Sequence, residues 1–185
     1  MLPDVQFCKG KNIYSFNQSL SYPMKLGIAK STGGACLGLA FHWMKMHSLG
    51  DYISFPNTIL RPSTIKIVDN IQANPLYFEH VLRSLKLSIR ISAIITENIM
   101  EKVSQKLATS PHRYELVCFY NGPTGHAVVL AHTRPGVLFF DPNYGCASFP
   151  CRTNFIQWFI DYYWMINGGP GTPSPCVSFK IYSFN

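Results

Sequence analysis

Three short blocks of this chain hold residue types that together could carry out nucleophilic acyl transfer. The first is Gly33-Gly34-Ala35-Cys36-Leu37-Gly38-Leu39-Ala40, running on to Trp43. The second is Gly125-His126-Ala127-Val128-Val129, and the third is Phe139-Phe140-Asp141-Pro142-Asn143-Tyr144-Gly145. A thiol attacks a carbonyl as its thiolate, and both a helix N-terminus and a nearby imidazolium favour that form. Cys36 follows a glycine pair and opens an apolar stretch with helical spacing. The glycines let a substrate backbone approach closely and leave amides free to hold an oxyanion. His126 opens a strand and Asp141 closes the next one. A carboxylate on one ring nitrogen would set the tautomer of the imidazole. Nucleophile, base and orienting carboxylate, in that order, are the parts of a thiol-protease triad. Each residue alone also has a structural reading: a small apolar residue at a helix start, a satisfied histidine, a turn aspartate before proline. His132 is an internal competitor for His126, because strand alternation puts both on one face.

These residues need elements to position them. Apolar residues at Leu37, Ala40 and Met44, and at Leu39, Trp43 and Met46, predict a helix from Ala35 to Met46 with Gly50 as a stop. Residues 1 to about 30 read as an arm, or a short strand plus loop. Pro56 to Pro62 reads as a loop, and Pro75 to Leu87 as a helix. Ser88 to Ile95 alternates as a strand. Asn98 with Glu101 resembles a capping box that opens a helix to Leu107. Tyr114–Tyr120, His126–Ala131 and Val137–Phe140 read as strands joined by tight turns, hence antiparallel. Asn154 to Ile166 is an aromatic-rich helix, broken by Gly168-Gly169-Pro170-Gly171, and Cys176 to Phe184 closes the sheet. Helices first and an antiparallel sheet after predict an α+β domain. The expected division is an N-terminal arm over 1–30 and one catalytic domain over 31–185.

The three blocks resemble the YopT/AvrPphB group of bacterial effector cysteine proteases, which have a papain-like fold. That pattern has a Cys followed by small and apolar residues and a nearby Trp, then Gly-His-Ala-Val, then Phe-Asp-Pro-Asn-aromatic-Gly. The resemblance covers residues 30 to 165 and is carried by the blocks around Cys36, His126 and Asp141. It implies a papain-like domain with the nucleophile at a helix N-terminus and His and Asp on the sheet. It implies Cys36 as nucleophile, His126 as base and Asp141 as orienting carboxylate. One departure concerns the oxyanion hole. Papain-like enzymes place a Gln or similar side chain shortly before the Cys, and here Lys30, Ser31 and Thr32 stand there. Gln18, Asn17 or Ser31 could take that role, with Gly34 in support, or backbone amides could act alone.

The chain has 185 residues, 47% of them apolar and 14% charged, enough for a core of its own. Its net charge of +7 comes from scattered Lys and Arg. With no zinc-finger spacing or RNA-motif signature, no nucleic-acid partner is expected. The charge suits an acidic target or an anionic membrane surface better than the lipidated, polybasic termini that some relatives cut near. The 155–166 segment is apolar on nearly all sides, which suits packing under the sheet or docking on a membrane or partner. Six cysteines include no Cys-x-x-Cys pair, so no metal or other cofactor is expected. Cys118 reads as a buried thiol, and Cys146 and Cys151 could meet across a turn. No Sec-type leader and no run of ~18 apolar residues appear. The expected protein is a monomeric virulence effector, delivered by a specialised secretion system into a host cytosol to cut a host protein. One rival is a glutamine deamidase or transglutaminase-like enzyme with the same triad. The other is a binding module whose triad residues are structural.

Overall fold

The computed structural model describes residues 1–21, 34–74, 87–122, 124–167, 169 and 175–185. Its centre is a seven-stranded antiparallel sheet in the order β1-β6-β5-β4-β3-β7-β2. The strands are β1 (Lys11–Ser15), β2 (Ile89–Ile95), β3 (Tyr114–Asn121), β4 (Thr124–His132), β5 (Val137–Asp141), β6 (Gly145–Phe149) and β7 (Ser178–Phe184). Strands β3 to β6 follow one another through short turns, as the turn residues between them dictate. Residues 1–21 do not stand apart from this sheet. A 3-10 helix (Val5–Cys8) leads into β1, which pairs with β6 and forms one edge, and a helical turn α1 (Gln18–Ser21) follows.

Alternation along the strands sorts the apolar residues into two cores, one on each face. On one face Leu116, Cys118, Ala127, Val129 and Phe140 pack against Leu39, Trp43 and Met44 of α2 (Cys36–Ser48). On the other, Val117, Phe119, Val128, Leu130 and Phe139 pack against α5 (Ile99–Thr109) and the aromatic helix near the C-terminus. That helix runs as α6 (Arg152–Trp158), a π-helical segment (Phe159–Trp164) and a last turn α7 (Met165–Asn167). Phe155, Trp158, Phe159, Tyr163 and Trp164 are buried, so this segment is core, while Met165 and Ile166 stay exposed.

Two expectations change. Pro56 to Pro62 is not a plain loop: a helical turn α3 (Phe55–Thr58) starts there, and Pro62 begins α4 (Pro62–Ala73). Proline lacks the amide that the first turn of a helix leaves unpaired, so Pro56 and Pro62 mark helix starts. Asn98 does not form a capping box. It sits in the left-handed region (φ 46) with no side-chain cap, and only its carbonyl takes the Lys102 amide. A side-chain cap needs extended backbone at that position. The helix expected over 75–87 lies almost wholly outside the described residues. Cys146 and Cys151 are both free thiols, and Cys151 hydrogen-bonds Asn154 at 2.8 Å. Cys118 is buried, and burial pushes its thiol up to about 12. Among the described residues, no helix is long and apolar enough to cross a membrane.

Helices α2 and α4 touch through Gly38. A Cβ built there would lie 2.3 Å from the carbonyl oxygen of Val68 and 2.8 Å from its Cγ1. Backbone cannot yield cheaply to such an overlap, so Gly38→Ala is expected to cost about 1–3 kcal/mol of stability. Urea unfolding of the two proteins checks this; equal midpoints would show that the helices can separate freely.

Candidate active site

Cys36 is the first residue of α2, where the backbone amides of a helix have no intrahelical acceptor. Its neighbours are tied down from outside the helix. Oε1 of Gln72, on α4, accepts from the Leu37 and Gly38 amides at 3.2 and 3.4 Å. Oε1 of Gln18 accepts from the Ala35 amide at 3.1 Å. Among the described residues nothing lies within 4 Å of a Cβ built on Gly34.

His126 and Asp141 arrive from the sheet. His126 pairs in register with Phe119, and the two rings meet edge to face at 5.8 Å. Both share a face with Val128 and Phe139, the face opposite α2. Asp141 ends β5 and has no exposed surface. His126 Nε2 donates to Asp141 Oδ1 at 2.9 Å, and the Asn143 amide donates to the same oxygen at 2.6 Å. The Tyr163 hydroxyl donates to Oδ2. With Nε2 engaged, Nδ1 is the ring nitrogen available to the Cys36 thiol, with which His126 is hydrogen-bonded. The thiol also lies 3.9 Å from the Gly125 carbonyl.

The electrostatics favour an ion pair. Burial pushes the Cys36 thiol up, but the hydrogen bond and charge of His126, with the Ala127 and Leu37 amides, outweigh it, and the net shift is downwards. Burial pushes His126 down, but the charge and hydrogen bond of Asp141, then those of Cys36, carry it well above its ordinary value. Thiolate and imidazolium are thus favoured together, across a pH window between the lowered thiol and the raised imidazole.

The structure brings Cys36, His126 and Asp141 together. His132 lies six residues further along β4, about 20 Å away at strand spacing. Burial, then Arg152 and His112, push it down to about 4. Gln18 is buried and bridges two parts of the site: its own amide donates to the Pro142 carbonyl at 2.8 Å, and its Nε2 donates to Asn143 Oδ1 at 2.7 Å. Asn17 is used locally, accepting the Ser19 amide at 2.9 Å. Ser31 lies outside the described residues. Tyr163 and Gln72 carry no motif signal, because their contacts cross 22 and 35 residues of chain. A cleft of about 170 Å³ opens beside His126, walled by uncharged residues including Phe119, Tyr120, Thr124, Asn167 and Cys176. Among the described residues no group of three or more His, Cys, Asp or Glu is placed to hold a metal.

Residues 82–170 match the family model Peptidase_C58, described as Yersinia/Haemophilus virulence surface antigen. That stretch holds His126 and Asp141, while Cys36 precedes it. The fold is similar to the crystal structure of the Pseudomonas avirulence protein AvrPphB, at 17% identity and a TM-score of 0.60, over 83% of this chain and 92% of that one. A cysteine protease-like domain of the Photorhabdus asymbiotica toxin PaTox aligns at 16% identity and a TM-score of 0.47, over 98% of this chain and 58% of that one. The murine cytomegalovirus ubiquitin-specific protease M48 aligns at 10% identity and a TM-score of 0.46, over 91% and 82%. A comparison with curated proteins finds no match. The α+β architecture, with helices packed on an antiparallel sheet, is the fold shared with AvrPphB. Over residues 82–170 the chain is thus similar to the Peptidase_C58 family, and its fold is similar to that of AvrPphB.

Proposed function

We propose that this chain is a cysteine protease that acts inside a host cell, delivered there by a specialised secretion system, and cuts a host protein with Cys36, His126 and Asp141 as its triad. The observation that carries this reading is the placement of the His126 ring between the Cys36 thiol and the buried Asp141 carboxylate. The thiolate of Cys36 attacks the scissile carbonyl carbon and a C–S bond forms. The oxyanion that develops is met by the Cys36 amide at the helix start, with Gln18 Nε2 as the side-chain donor. His126 passes its Nδ1 proton to the leaving amine and the C–N bond breaks. Water then gives a proton to Nδ1 of His126 and attacks the thioester, the C–S bond breaks, and the acid leaves with the thiolate and imidazolium restored. Asp141 keeps Nε2 protonated throughout, so Nδ1 remains the exchanging nitrogen. The uncharged cleft beside His126 leaves room for part of a peptide substrate.

Three outcomes follow from these roles. Iodoacetamide is expected to label Cys36 well below the ordinary thiol value of ~8.5. Removal of His126 leaves burial as the dominant influence, which raises the thiol, so in His126→Ala the labelling midpoint moves to higher pH. Mass spectrometry of the labelled peptide reads this, and equal midpoints would remove the ion pair. Cys36→Ala is expected to abolish turnover with an unchanged melting curve. Proteomics of host lysate, scoring new N-termini and Gln-to-Glu changes, reads it: termini that depend on Cys36 support cleavage, and deamidated glutamines without termini replace it with the rival chemistry. Asp141→Asn is expected to lower kcat by roughly 10²–10⁴-fold, through loss of the oriented tautomer. Assay on the substrate found in the lysate checks this, and near-native turnover would dismiss the orienting role.

A further inference from the structure

We propose that Tyr163 is a positioning residue for this site: its phenol holds the second oxygen of Asp141, so that the first stays aimed at His126, and a π turn delivers it there. The proposal rests on the triad reading above.

A carboxylate at a strand end can turn about its last side-chain bond, and either oxygen could face the imidazole. Oδ1 is held by two donors, His126 Nε2 and the Asn143 amide. Oδ2 is buried with it, and a buried anionic oxygen without a donor is costly. Tyr163 is the donor to Oδ2. A rotating Asp141 would have to break this bond and leave the phenol unsatisfied.

The phenol is itself held still. Its ring has no exposed surface, stacks on Phe159 at 5.3 Å and meets Phe139 edge-on at 5.0 Å. Phe119, at 6.1 Å from it, also packs on the His126 ring, so one aromatic residue touches both ends of the relay. Asn167 Nδ2 donates to the Tyr163 carbonyl at 2.9 Å, and Tyr144 donates to Asn167 Oδ1 at 3.0 Å. Burial and the facing carboxylate keep the phenol protonated far above its usual range, so it stays a donor wherever the triad works.

The helix geometry matters to this contact. In a regular α-helix Tyr163 would sit about 80° round from Phe155, eight residues earlier, at 3.6 residues per turn. The wider turns of Phe159–Trp164 bring it back towards the face that Phe155 and Phe159 bury. The Gly169 amide continues this pattern, donating five residues back to the Trp164 carbonyl at 2.8 Å. Such π segments are rare in helices and gather at functional sites.

The test compares wild type with Tyr163→Phe, which keeps the ring and removes the hydroxyl. The readout is the pH profile of Cys36 labelling by iodoacetamide, beside the melting temperature. An unclamped Asp141 supports the imidazolium less well, and the imidazolium in turn supports the thiolate less well. The labelling midpoint rises, and labelling at pH 6 slows by about 3–10-fold. A midpoint equal to wild type overturns the proposal, whatever happens to stability, because a merely structural tyrosine would change only the melting temperature. Phe159→Leu, which loosens the ring's packing partner and leaves the hydroxyl, is expected to lower the melting temperature with little change in the midpoint. Should Tyr163→Phe fail to fold, proton NMR of the wild type gives the answer. The clamped hydroxyl is expected as a downfield, slowly exchanging resonance, and fast exchange with water overturns the clamp. A wild type with no low-pH thiolate would instead overturn the triad reading, and this inference with it.

Discussion

A carboxylate without exposed surface, Asp141, sets the terms for the rest of the molecule. An anion in that position has to be met by donors, and removing one partner from a buried charge pair costs about 3–5 kcal/mol. Its partners come from separate parts of the chain: His126 from β4, the Asn143 amide from its own turn, and Tyr163 from the π segment. Strand register, turn geometry and helix phase must therefore agree at one point. The turn meets this demand locally. Tyr144 donates to the Asp141 carbonyl at 3.1 Å, and Gly145 then takes a positive φ of 115, where a Cβ would lie 2.2 Å from the Tyr14 carbonyl oxygen. The motif Asp-Pro-Asn-Tyr-Gly thus shapes the chain reversal as well as supplying the carboxylate.

The second constraint is that the residues of the proposed triad belong to different faces of the sheet. Cys36 packs with the core under α2, and His126 and Asp141 share strand parity with the aromatic core on the other side. They meet where β4 begins and β5 ends. Gln18 spans the same seam, joining the Ala35 amide before the nucleophile to the Pro142 and Asn143 turn after the carboxylate. Trp43 secures the α2 side, lying flat on Phe140 at 5.3 Å and donating to the Tyr14 hydroxyl at 2.7 Å. Two well-packed cores hold the seam, so packing fixes the positions of the thiol, imidazole and carboxylate.

Much of this was legible in the residues. The three blocks named Cys36, His126 and Asp141, because a cysteine at a helix start and a His and Asp at strand ends leave local marks: a glycine pair, an alternating apolar run, a proline turn. The strands from Tyr114 to Asp141 read correctly for the same reason, since period-two alternation and tight turns are short-range signals. Helix α4 escaped notice because Pro56 and Pro62 read equally as loop residues and as helix starts. Asn98 misled because a capping pattern in sequence does not settle the φ of its first residue.

By itself, then, the sequence marked candidate residues for thiol chemistry and the elements that carry them, because both depend on residues close together in the chain. Only the tertiary structure decided which histidine faces the thiol, His126 at the start of β4 rather than His132 about 20 Å along it. It also decided that Gln18 and Gln72 close over the start of the nucleophile helix, and that a π turn swings Tyr163 onto the carboxylate. Those contacts join residues 17 to 35 positions apart. Their partners are chosen by sheet order and helix phase, and no local pattern of residue types records either.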